Sequence, residues 1–175
     1  MNSAADHLPE PGSPAYQQLM AGLAAVYADH ARRGDMSEPV RIVIQANAAY
    51  PDGLLDLAAA LLLEAARRCP PGLRHGVTPD LSRLAPTRPD ALTVLKAASE
   101  TKRLLGRGPV EADDITSTEQ QVSTHEAHRP TVQAALAAAP RGLDAVRAAL
   151  GPADADPRAV SAVLAMAAEA LRTIG

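Results

Sequence analysis

His125 and His128 are the residues of this 175-residue chain whose type and spacing come nearest to chemistry. They lie in the stretch STHEAHRPTVQAAL, which runs from Ser123 to Leu136. Residues three apart share one face of a helix, so two imidazoles placed this way could hold one metal ion between them. A protein metal site needs at least a third ligand. Asp113, Asp114, Glu119 and Glu126 are close in sequence. Glu126 directly follows His125, however, and on an ideal helix it points about 100° away. The zinc-protease spacing His-Glu-x-x-His and the Glu-x-x-His pair of di-iron bundles are both absent. The plainer reading is a polar, solvent-facing front to an apolar helix, with no cofactor.

The basic side chains form the second candidate set. Residues 67–107 carry nine basic and three acidic side chains, whereas 1–66 carry three and eight, and 108–175 carry five and nine. The basic group is Arg67, Arg68, Arg74, Arg83, Arg88, Lys96, Lys102, Arg103 and Arg107. Either these pair with the acidic flanks, or they form a surface for an acidic or phosphate-bearing partner. No aromatic residue interleaves with them, which removes the stacking platforms that single-stranded nucleic acid uses and argues against such a partner. A third set, Tyr27, His30, Asn47 and Tyr50 together with the two histidines, would matter if the fold brought it to one pocket between helices. His30 sits on the apolar face of the first helix, which predicts a hydrogen-bonded core histidine. Cys69, the single cysteine, excludes an internal disulfide and fits a buried small residue at a helix end. Arg67 and Arg68 beside it would favour a thiolate if it were exposed.

Two short resemblances arise near the histidines. His128-Arg-Pro-Thr-Val-Gln-Ala-Ala-Leu136 resembles the start of the recognition helix in winged helix-turn-helix regulators of the GntR type, through Arg129, Pro130, Thr131, Val132, Ala135 and Leu136. It implies a DNA-facing helix that begins near residue 130. The likeness covers about nine residues. Glu126-Ala127 replace the glycine turn, no basic wing follows, and the surrounding charge is negative, which repels phosphates. Asp113, Asp114 and Ser117 resemble the second metal motif of terpene cyclases. There the final carboxylate position is Gln121, so a metal ligand is lost.

The elements that would position these residues read as helices. With no Trp, no Phe and three Tyr, the core must come from aliphatic residues and alanine. That favours closely packed helices over a sheet. Ser13-Pro14 is a cap followed by proline, and Tyr16, Leu19, Met20, Leu23 and Tyr27 recur at helical spacing up to Gly34. Val40–Ile44 is β-like in composition but has no convincing partner, so it is assigned to a second helix from Ser37. Residues 54–69 are apolar on nearly every face, which places that helix at a bundle centre or in an interface between copies. Thr78-Pro79 and Thr87-Arg88-Pro89 read as two further helix starts, the second running to Leu105. Residues 106–129 read as a polar exposed segment, and helices follow over about 130–139, 142–150 and 157–173.

The expectation is an all-α, multi-helix bundle of six or seven helices: one domain over residues 13–175, behind a disordered tail at 1–12. No apolar run, Leu57–Leu63 included, is long enough to cross a membrane. No leader is apparent at the N-terminus, and the composition suggests a cytoplasmic bacterial protein. The leading function is a non-enzymatic helical interaction or adaptor protein, binding another protein or a second copy of itself. The alternatives are a small-molecule- or metal-binding helical enzyme and a nucleic-acid-binding regulator that uses the basic middle.

Overall fold

The first helix starts where its chemistry says it should. In the computed structural model, Ser13 Oγ accepts the Tyr16 N–H at 3.2 Å, and Pro14 occupies the first turn of α1 (Pro14–Arg32). The structure describes residues 8–35, 37–75, 78–79, 95, 98–99, 102–103, 106–151 and 157–174. Tyr16, Met20, Ala24, Tyr27, Ala28 and Ala31 form the buried stripe of α1, and Gly34 follows with a left-handed φ of 72°. Just before α1, Tyr50 Oη donates to the Pro9 carbonyl at 3.1 Å, which fastens residues 8–12 to the bundle.

α2 (Ser37–Ala49) takes in the β-like run as helix and buries Pro39, Ile42 and Ala46. Asp35 sets the turn between α1 and α2. Its carboxylate accepts the Ser37 hydroxyl at 2.5 Å and the Ser37 N–H at 3.0 Å, and lies 2.8 Å from His30 Nδ1. These bonds, the Ser37 hydroxyl first, hold the Asp35 carboxyl down at about 2.

α3 (Gly53–Arg68) is the centre of the bundle. Leu55, Leu57, Ala58, Ala59, Ala60, Leu61, Leu62 and Ala65 are all buried, and α1, α2, α4, α5 and α6 each pack against it. Its all-round apolarity is therefore satisfied inside the chain. The argument for self-association that rested on an uncovered α3 loses its basis. Cys69, just beyond α3, is buried as expected. After a 3₁₀ turn at Pro71–Leu73, Arg74–His75 pair antiparallel with Thr78–Pro79. Thr78-Pro79 is thus a two-residue strand and not a helix start. The expected short helix over 79–85 and most of the one ending at Leu105 lie outside the described residues, although Leu95, Ala98, Ser99, Lys102 and Arg103 are helical.

The largest departure from the sequence reading is α4 (Ala112–Ala138), a helix of 27 residues. The polar run read as a connection is its N-terminal part, and Pro130 lies inside it and does not begin it. A proline within a helix removes one backbone donor and crowds the preceding turn, at a cost of roughly 3 kcal/mol. The neighbouring Ala127 and Pro130 are both exposed, so water has access to this part of the helix. Steric crowding remains. Pro130→Ala should therefore raise stability by about 1–2 kcal/mol, after allowing for the greater entropy of the unfolded chain. Thermal melting would register this as a rise of several degrees, and a fall would mean that the helix does not run through residue 130.

α5 (Leu143–Ala149) and α6 (Pro157–Ile174) complete the described bundle. α6 lies on α3 and α4, with Ala159, Val163, Met166, Ala167 and Leu171 buried. The all-α architecture is as the composition required.

Candidate functional site

α4 is built in two parts. At its C-terminal end Val132, Ala135, Leu136 and Ala138 are buried against α3, α5 and α6. From Ala112 to Pro130, by contrast, no described side chain is buried, and Ile115 is 38% exposed. At 1.5 Å per residue this unburied part spans roughly 28 Å. A polar helix of that length is marginal alone, so its ends must hold it. The buried C-terminal part anchors one end. At the other end the Glu111 N–H donates to Asp114 Oδ2 at 2.7 Å, and the Lys102 ammonium lies 2.5 Å from the same carboxylate. Lys102, and then the Glu111 N–H, hold the Asp114 carboxyl below the usual range. Asp114 is thus a capping and bracing residue, which is incompatible with the metal role implied by the terpene cyclase likeness.

His125 and His128 both lie on this N-terminal part of α4. His128 is half-buried, and the side chain of His125 is outside the described residues. Among the described residues no group of three His, Cys, Asp or Glu side chains is brought close enough to hold a metal ion. The recognition-helix likeness fails on geometry, because Arg129-Pro130-Thr131 sits in mid-helix with no turn before it.

Arg67, Arg68, Arg74 and Lys102 of the basic set have separate internal partners. Arg67 Nη1 and Arg68 Nε donate to the buried Glu64 carboxylate at 3.1 and 2.7 Å, and Arg68 also reaches Asp29 at 2.8 Å. Arg68 in turn holds the Asp29 carboxyl below its ordinary range. Arg74 closes the C-terminus of α3, donating to the Cys69 carbonyl at 2.9 Å and the Ala66 carbonyl at 3.0 Å. Lys102 braces α4, also donating to the Pro109 carbonyl at 3.0 Å, while Arg103 is helical and exposed and Arg107 is exposed in irregular backbone. Arg83, Arg88 and Lys96 lie outside the described residues. The bland reading of the basic middle, pairing with acidic neighbours, accounts for Arg67, Arg68 and Lys102. The polar groups proposed to line a pocket also point to different partners. His30 bonds Asp35, Tyr50 bonds Pro9, Asn47 is exposed on α2, and Tyr27 is buried in the core.

One polar constellation was missed by sequence reasoning. Asp56, on α3, accepts Tyr16 Oη of α1 at 2.5 Å on one oxygen and Arg147 Nε of α5 at 2.7 Å on the other. Arg147 also lies 3.9 Å from Asp52. The Tyr16 ring meets Tyr50 edge-to-face, with ring centres 4.7 Å apart. Beside it Gln17 Nε2 donates to Asp144 at 3.1 Å, a second link from α1 to α5. A sequence signal existed: Asp56 is the sole charged residue between Gly53 and Leu63 in an otherwise apolar helix. Such a carboxylate needs partners when its helix is buried.

Burial, and then the hydrogen bond to Asp56, push the Tyr16 phenol well above its ordinary range. Burial also raises Tyr27. A group whose proton is held more tightly in the folded state leaves stability intact below its unfolded pKa, and stability falls as pH rises beyond it. Denaturation followed from pH 9 upward should therefore show a loss beginning at about pH 10. Tyr16→Phe should make that loss shallower, with Tyr27 supplying what remains. An unchanged alkaline slope would mean that Tyr16 is not held by Asp56.

No protein-family model matches the chain, and comparison with curated proteins and with solved structures returned no match.

Proposed function

We propose that this protein is a helical interaction or adaptor protein that presents the N-terminal part of α4, from Ala112 to Pro130, to another protein. One observation carries the reading: the chain holds that polar stretch as a helix, capped at one end and anchored at the other, while burying none of its described side chains. Ordering a segment costs conformational entropy of about 1–2 kcal/mol per residue, and the described side chains of this stretch recover little of it by burial. A preformed surface recovers that cost on binding, because the partner then meets a helix that is already ordered. Hydrogen-bonding side chains flank the exposed Ile115 on this helix, the mixed character found at transient interfaces. The partner is another protein; a second copy of the chain is the case that is simplest to test.

The test is photo-crosslinking in the native host from an unnatural amino acid at Ser117 or Gln120, with Gln18 on the exposed side of α1 as the comparison site. The expected result is a discrete adduct from Ser117 and Gln120, absent from Gln18, whose mass identifies the partner or a second copy. Equal labelling from all three sites, or none, would remove the reading. Native mass spectrometry of the untagged protein then separates a self-complex from a monomer that needs a different chain.

A further inference from the structure

We draw no further inference here: the strongest candidate, the exposed apolar side chains Val26 on α1 and Ile44 on α2, is a surface patch for which nothing in the structure shows what covers it.

Discussion

Gly53→Ala is expected to destabilise the protein by about 3 kcal/mol, the upper end of the usual penalty for overpacking. Gly53 is the first residue of α3 and is buried against the end of α2. A Cβ built there would stand 1.9 Å from the Ala46 carbonyl oxygen and 2.7 Å from its carbon. Both are backbone atoms, so no side chain can swing aside, and relief requires α2 and α3 to separate. That separation would disturb Tyr50, whose N–H donates to the same Ala46 carbonyl at 3.3 Å and whose ring packs on Tyr16. For a chain of this size the melting temperature should fall by roughly 6–12 °C. Gly22→Ala is the matched control. Gly22 lies within α1 with nothing inside 4 Å of a built Cβ, so the same substitution should stabilise by about 0.5–1 kcal/mol. Opposite signs for the two variants would establish the close approach of α2 to α3. Equal, small effects would contradict it.

The second large effect is expected at Asp56. Replacing it with alanine leaves the Tyr16 hydroxyl and the Arg147 guanidinium without their shared acceptor at the junction of α1, α3 and α5. Breaking a buried ionic pair by removing one partner costs about 3–5 kcal/mol. Asp56 and Arg147 keep side-chain exposures of 19% and 23%, so solvent recovers part of this and the expected loss is about 2–3 kcal/mol. Asp56→Asn should fall between wild type and alanine, since an amide oxygen can still accept from Tyr16 but carries no charge for Arg147. A double-mutant cycle with Tyr16→Phe makes the test specific. In the wild-type background Tyr16→Phe should cost about 1 kcal/mol; in the Asp56→Ala background it should cost nothing or stabilise, because it removes an orphaned hydroxyl. Additive costs would show that Tyr16 and Asp56 do not act as a unit.

Most of the bundle was legible because its signals are local. Ser13-Pro14, the stripe from Tyr16 to Tyr27 and Gly34 specify α1 within some twenty consecutive residues. The near-continuous apolarity of residues 54–63, broken only by Asp56, left α3 either the bundle centre or an interface between copies, because such a helix must be covered on nearly every side. The β-like run Val40–Ile44 yielded to its surroundings: in α2 it packs Ile42 into a helical core. α4 was misread through a sound local rule, since proline after a polar run normally marks a helix start. The rule lost because Pro130 and Ala127 are exposed, where water has access to the helix, and because capping at Glu111 and Asp114 supplies a start 18 residues earlier. The Asp56 constellation was out of reach for a different reason. Its partners lie 40 and 91 residues away in sequence, and only the folded bundle shows which donors a lone carboxylate meets.

For the candidate site the same distinction holds. The composition of the stretch around His125 and His128 marked it as polar and solvent-facing. That it is the unburied part of one continuous helix, and not a connection ahead of a new one, depends on what α4 packs against beyond Val132. Within the basic middle, charge counts could not show that Arg67 and Arg68 share the Glu64 carboxylate or that Arg74 bonds the Ala66 carbonyl of α3.

The most direct measurement is residue-resolved amide hydrogen exchange over 112–138. The account predicts graded protection: slowest exchange from Val132 onward, where α4 is buried, and moderate but clear protection from Thr116 to Arg129. The first amides, Ala112 to Ile115, should exchange fastest, as helix N-termini do. Exchange at unfolded-chain rates throughout 112–129, with protection beginning only after Pro130, would contradict the continuous helix and, with it, the surface on which the proposed interaction depends.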